Sequence, residues 1–386
     1  MELISSIGDV VGILIVLLIG ILVTLICAKA FLLPPGRALF LFIWHTIFSF
    51  IYAWYVSNFG GDAIMYYQEA QVGIVEFSFG VSSVIFIANL IYKFLDLSFL
   101  GLGIFFSIFG VIGLLAFDAS LRHVTRGTSR NIKLLAVIIV LLPSISFWSA
   151  GLGKDAISFM ATGLALWASL NLTKRKLLMV FAIASMLLVR PHMAGLMVIA
   201  LTFTVMIGKN LNMLQRIFFG SIVLVTALFM VPFALDYAGL KHLNVQGLMS
   251  YIEQRQNYNW KGYGGGIDIS SMSLPMQMFT YLFRPLPFEA HSFSVLMASI
   301  DNVFLLYLSF MGLFAKIKGG VTHPNFNLVF TWVYGGGALL ILSMTTATNL
   351  GIAMRQKWMF LPFFIVLIVS YIAQKNRQKA LRYYYL

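Results

Sequence analysis

The sequence predicts an all-α fold: a polytopic integral membrane protein of about eleven to thirteen transmembrane helices with one large outer loop. Three observations carry this prediction. Of 386 residues, 60% are hydrophobic and only 10% are charged, where a soluble domain carries about a quarter charged. Mean hydropathy is +0.92. Apolar runs of about 20 residues, enough to cross ~30 Å of hydrocarbon, recur along the whole chain. No repeat of fixed period and no soluble domain is evident, so residues 1–386 read as a single membrane domain.

Taken in order, helices are expected near 10–33, 38–56, 80–97, 99–117, 132–149, 156–172, 177–190, 192–208, 217–235, 292–315, 325–345 and 358–374. The stretch before the first carries Glu2 and Asp9 but no lysine or arginine. It therefore lacks the basic segment of a cleaved signal peptide and reads as a retained span. The pair at 177–208 is short in each half and interrupted by Pro191, so it reads as a broken or re-entrant element. The only long polar segment is 236–291, rich in aromatics and glycine and without the alternation of a sheet. It reads as an ordered cap with short amphipathic helices on the outer surface.

Orientation follows from the bases. Arg122, Arg126, Arg130 and Lys133 form one cluster, and Lys174, Arg175 and Lys176 a second. Lys209 with Arg216, Lys316 with Lys318, and Lys375, Arg377, Lys379 and Arg382 complete the set. Cytoplasmic loops hold an excess of lysine and arginine. All five clusters meet that rule if 150–155, 190–192, 236–291 and 346–357 face outward. The first third fits less simply. Lys29 and Arg37 favour a cytoplasmic turn and put 57–79 outside, yet two further spans over 80–117 then carry the Arg122 cluster outside too. Either one of those runs is not a full crossing, or Lys29 and Arg37 break the rule.

The net charge of +13 would suggest nucleic acid in a soluble protein. Here the bases sit between apolar runs, where the positive-inside rule and anionic headgroups account for them. No basic patch interleaved with aromatics argues for nucleic acid. Cys27 is the single cysteine, which excludes a disulfide framework or thiolate metal site within one chain. The six histidines (45, 123, 192, 242, 291 and 323) are scattered. Walker A, dinucleotide, HExxH and GxSxG motifs are absent from the sequence, so neither a metal nor a cofactor is expected.

Charge in or beside hydrocarbon is a functional candidate by default. In FWSAGLGKDAISF, Lys154 and Asp155 stand side by side where a helix begins. Asp155 suits a helix cap or an orienting partner, and Lys154 either snorkels or meets a phosphate. In LLVRPHMAGL, Arg190 and His192 flank Pro191 inside a long apolar stretch. An arginine there needs an anion, either a carboxylate such as Asp155 or Asp62 or a ligand phosphate. His192 is then a second donor or a proton shuttle. In NFGGDAIMYYQEAQ, Asp62 follows two glycines and precedes Tyr66 and Tyr67, which suits a general base or a capped helix in an aromatic belt. The outer segment offers Glu253 as a further base, and Arg255, Tyr258, Trp260 and Tyr263 as flat or planar groups for a sugar ring. FRPLPFEA adds Arg284 and Glu289 around two stiffening prolines. Arg355 and Lys357 precede the final span on the side the positive-inside rule disfavours; lipid phosphate is their natural partner.

This layout resembles polytopic glycosyltransferases that use polyprenyl-phosphate-linked sugars: the GT-C fold enzymes and the Wzy-type polymerases of O-antigen, capsule and exopolysaccharide. The residues carrying the resemblance are GGDAIMYY after an early span, the PSISFWSAGLGKDA hairpin, the large late outer loop and GIAMRQKWMFLPFF opening the last span. It implies Asp62 as the catalytic or acceptor-activating carboxylate, with Arg190 and Arg355 on the lipid diphosphate. The paired acid of the GT-C pattern is missing, since the next acid after Asp62 is Glu69. The basic outer-loop residues suit the polymerases better.

The expected activity is glycosyl transfer from an undecaprenyl-linked donor to an acceptor sugar, at the outer face of a bacterial cytoplasmic membrane. Asp62, His192 or Glu253 would take the acceptor proton. Lys154, Arg190, Arg284, Arg355 and Lys357 would hold lipid phosphate, and Arg255, Tyr258, Trp260, Tyr263 and Glu289 the sugar. Membrane lipid and other polysaccharide-assembly proteins are the expected partners. The alternative is a transporter or flippase that binds a lipid-linked or anionic solute without chemistry.

Overall fold

The computed structural model describes residues 3–384 other than 5, 74, 208–211, 215, 219, 222–223, 226–227, 230–244, 261–266, 270 and 291. Among the described residues every regular element is a helix, as an all-α polytopic membrane protein requires. Six helices are long and apolar enough to cross a membrane: Ile7–Ala30, Pro35–Phe59, Phe99–Val124, Arg130–Ser149, Val295–Ile317 and Leu328–Thr346. A seventh span forms if Leu350–Met359 and Leu361–Lys379, bent by 63°, count as one. Val81–Leu95, Lys176–Val189 and Pro191–Ile207 are apolar but shorter. The expected span at 217–235 falls largely outside the described residues.

The chain divides into two compact units, Met1–Arg126 with Arg130–Arg190, and Gly127–Ser129 with Pro191–Leu386. The sequence reads as one continuous membrane domain, and only Pro191 marks where the division falls.

The first unit holds α1 (Ile7–Ala30), α2 (Pro35–Phe59), α3 (Asp62–Gln71), α4 (Val81–Leu95), α5 (Phe99–Val124), α6 (Arg130–Val140), α7 (Pro143–Ser149), α8 (Lys154–Ser169) and α9 (Lys176–Val189). Local chemistry sets the ends. Ser6 and Asp9 exchange side-chain to backbone hydrogen bonds at 3.1 Å and cap α1. Pro35 takes the first position of α2, where a missing N–H is harmless. The core is α5 against α8. A side chain on Gly163 would lie 2.4 Å from the Gly113 carbonyl oxygen, so the two backbones meet only because both residues are glycine.

Contacts sort this unit into two ends. At one, Arg37 at the start of α2 grips Asp118 near the end of α5, with Nε to Oδ2 at 2.7 Å and Nη2 to Oδ1 at 2.5 Å. Trp167 near the end of α8 packs there against Phe31 at 6.3 Å, and the Arg175 guanidinium lies 3.5 Å over its ring. Lys29 and the Arg122 and Lys174–Lys176 clusters therefore belong to one end. At the other end Tyr67 donates to the Leu97 carbonyl at 3.3 Å, and Gly80 N–H and Ser83 Oγ both donate to the Leu188 carbonyl at 2.7 Å.

Both ends of α4 are thus held at the end away from the bases. The run 80–97, expected to cross, instead forms a 15-residue helix of about 22 Å that starts and finishes on one side. That corrects the expectation and removes the conflict in the first third. Arg37 and Arg122 share one side, and residues 57–73 lie at the opposite end of the unit.

The second unit holds α10 (Pro191–Ile207), α11 (Val245–Trp260), α12 (Leu274–Phe283), α13 (Phe293–Ile317), α14 (Leu328–Thr346, opening into a π-turn at Thr331–Gly336), α15 (Leu350–Gln356) and α16 (Leu361–Tyr384). α13 and α16 run side by side, with Lys316 4.9 Å from the Tyr371 ring and Lys375 5.6 Å from the Phe314 ring. Lys316 and Lys375 thus lie at one end of this helix pair.

Candidate functional site

Arg190 is the charge the first unit must account for. Pro191 disfavours helix in the residue before it, so α9 stops at Val189 and Arg190 is extended. Only 6% of the residue is exposed. Its Nη2 donates to Asp155 Oδ1 at 2.6 Å and its Nε to Ser158 Oγ at 3.2 Å. Asp155 and Ser158 are three apart on α8 and share one face. Ser158 passes its own proton to the Lys154 carbonyl at 2.8 Å. The guanidinium is therefore fixed along its Nε–Nη2 edge, and Nη1 is the donor left over among the described contacts.

The depth of this pair follows from the Gly113–Gly163 contact. From there α8 rises eight residues to Asp155, while α5, running parallel to it, rises fourteen to Phe99. α5 thus extends about 9 Å beyond Asp155. The Arg190–Asp155 pair thus lies about 9 Å short of the start of α5, toward the end of the unit away from the bases.

Lys154 is half-buried and one residue from the pair. Asp62 is exposed at the start of α3, after Gly60 with φ +80° ends α2. Tyr66, one turn along α3, is buried, and a side chain on Gly153 would meet its ring at 3.9 Å. So α3 lies beside the turn that carries Lys154. Burial first, then neighbouring Tyr92, pushes the Tyr67 phenol up to about 12. Tyr67 stays a proton donor and does not act as a base.

Two polar features of this unit escaped sequence reasoning. One is the Arg37–Asp118 pair. The other is His45, fully buried on α2, with Nε2 3.0 Å from Ser149 Oγ. Ser149 donates its proton to the Ile145 carbonyl at 2.6 Å, so its lone pair accepts and His45 carries hydrogen on Nε2. This bond anchors α7 immediately before the turn to Lys154. A histidine inside the 38–56 run and the serines of PSISFWS were the available signals, but nothing local says they meet.

In the second unit the structure gives several candidates protein partners. Arg284 donates through Nε and Nη2 to Glu289 Oε1, and the Leu286 N–H donates to Glu289 Oε2 at 2.7 Å. The sequence assigned Arg284 to phosphate and Glu289 to sugar; they hold each other. Lys357 is 1% exposed. Its Nζ donates to the Leu282 carbonyl at 3.2 Å and to Asn302 Oδ1, with Asp301 exerting the nearest opposite charge. Arg355 is half-buried at the end of α15 and His192 half-buried in the first turn of α10. Glu253 is exposed and Arg255 half-buried on α11. The side chains of Tyr258 and Trp260, and all of Tyr263, lie outside the described residues.

The fold therefore brings Lys154, Asp155 and Arg190 together, with α3 and Asp62 alongside. It separately pairs Arg284 with Glu289. Among the described residues no three histidine, cysteine, aspartate or glutamate side chains gather as a metal site. No protein-family model matches the chain, and no curated protein or solved structure matches it.

Proposed function

We propose that the chain is a membrane glycosyltransferase of the polysaccharide-polymerase kind. It moves a glycan from a polyprenyl (di)phosphate-linked donor to an acceptor sugar, at the outer face of a bacterial cytoplasmic membrane. One observation carries the reading: a buried arginine, held along its Nε–Nη2 edge, sits toward the end of its unit that the positive-inside rule turns outward. Polyprenyl phosphate leaves with developing negative charge, and a fixed donor in a water-poor site stabilises that charge without reorganising. Arg190 meets one phosphoryl oxygen through Nη1, and Lys154 adds charge from the next turn. Asp62, at the rim, takes the acceptor hydroxyl proton.

The test is elongation of an undecaprenyl-diphosphate-linked glycan by the purified protein in lipid nanodiscs. Arg190→Ala is expected to slow product formation by about 10²–10³-fold, the usual loss on deleting one such donor. Asp62→Ala removes the base. Failure of the wild-type protein to lengthen a competent substrate sinks the reading.

Transport without chemistry remains the second reading because two features favour it: the 63° break between Leu350–Met359 and Leu361–Lys379, and the π-turn in α14. Flux of lipid-linked glycan across proteoliposomes with no product formed decides for it.

A further inference from the structure

We propose that α12 and the turn after it form a re-entrant hairpin within the bilayer, and that Phe288 at its tip contacts lipid acyl chains. The inference is independent of whether the protein is an enzyme or a carrier. Sequence reasoning placed residues 236–291 wholly in a surface cap; two rulers within the second unit place part of that segment deeper.

The first ruler is α13. Lys316 marks its basic end, and Asn302 stands fourteen residues away, about 21 Å along the helix. Hydrocarbon is ~30 Å thick, so Asn302 lies about 9 Å short of the far boundary. Asn302 Nδ2 donates to the Pro285 carbonyl at 3.0 Å, which puts the turn at that depth. The second ruler is α14. Tyr334 donates to the Met359 carbonyl at 2.8 Å, and α14 runs twelve residues further to Thr346, about 18 Å. Met359 follows Lys357 by two residues, and Lys357 reaches the Leu282 carbonyl. Both helices put the end of α12 well inside the slab.

The chemistry agrees with the depth. α12 reads LPMQMFTYLF, apolar enough to enter lipid from the outer side. Non-helical backbone survives at membrane depth only where its polar groups find internal partners. Here Lys357 takes the Leu282 carbonyl, Asn302 the Pro285 carbonyl, and Glu289 the Leu286 N–H. Arg284 and Glu289 neutralise each other. Phe288 is turned out at 84% exposure, next to exposed Pro287. Beside it α13 exposes a continuous apolar face through Ile300, Val303, Tyr307 and Phe310. A spanning helix presents such a face to lipid, so Phe288 extends a surface whose occupant is already the bilayer.

Spin labels test this in the full chain with Cys27→Ser, reconstituted in phosphatidylcholine–phosphatidylglycerol vesicles. Single cysteines are placed at Phe288, at Phe310 and at Lys174. Phe310 is six residues from Lys316, about 9 Å inside the opposite boundary, so it matches the depth proposed for Phe288. The Phe288→Cys label is expected to collide with oxygen as readily as the Phe310→Cys label, and to be shielded from a water-soluble nickel complex to the same degree. Nickel accessibility equal to that at Lys174→Cys overturns the proposal, because the hairpin then stands in water. Shielding from both reagents overturns it as well, because protein then covers Phe288.

Discussion

Among the described residues Arg190 is the buried cation of the first unit and Lys357 that of the second, and the fold holds them by different means. Arg190 faces a carboxylate at 2.6 Å and a hydroxyl at 3.2 Å. Lys357 faces a carboxamide oxygen and a backbone carbonyl, with the buried Asp301 carboxylate attracting it. The first cation is hydrogen-bonded to a carboxylate, the second to neutral oxygens. A planar guanidinium can seat its Nε–Nη2 edge on protein and keep Nη1 for a second partner. An ammonium with its donors turned onto helix-end carbonyls is a clamp, tying the end of α12 to α13. On the proposed function and the proposed hairpin, the two cations have different work: Arg190 toward a ligand, Lys357 within the hairpin.

That contrast can be broken in order of size. The largest expected loss is from Asp155→Ala, which leaves Arg190 buried without its carboxylate and costs about 3 kcal/mol. Thermal unfolding of purified protein in detergent reads it, and a shift no larger than that of an exposed control erases the distinction. Lys357→Met comes next. It removes a charge but strands the Leu282 carbonyl and Asn302 Oδ1, for about 1–3 kcal/mol. Hydrogen exchange around 282–289 should rise in this variant while the α8–α9 junction keeps its protection; equal loosening of both would contradict the clamp. The smallest effect is from Arg284→Lys. It keeps a positive charge beside Glu289 and gives up one of the two N–H groups that Arg284 directs at Oε1, for about 1 kcal/mol. A larger melting-temperature shift here than for Lys357→Met would reverse the ranking and point to Arg284 as the true anchor of the hairpin.

Much of the helical layout was legible because hydrophobic runs and their punctuation are local. The expected 38–56 and 292–315 correspond to Pro35–Phe59 and Phe293–Ile317. The break at Pro191 follows from the missing N–H and the crowding that proline imposes on the residue before it. The 80–97 run was misread because composition cannot report direction. Its residues are as apolar as a span, yet hydrogen bonds to Leu188 and the chain's return at Leu97 hold both ends on one side. The candidate site was half legible. That Arg190 needs an anion is elementary electrostatics. That the anion is Asp155, 35 residues away, depends on how α8 and α9 pack. The partnership of Arg284 with Glu289 lay within five residues and was open to a closer reading of the proline turn.

Residue composition and order were enough to make this chain a helical membrane protein, to place most of its helices, and to set its bases in clusters between apolar runs. Those properties are set by residue solubility and by the short-range geometry of proline, glycine and caps. Only the tertiary structure decided which buried charges meet: Arg37 with Asp118, Arg190 with Asp155, Lys357 with Asn302. A charge in an apolar run announces that it has a partner. Which one depends on close packing between helices distant in sequence, as at Gly113 and Gly163, and that packing also sets the depth of each pair.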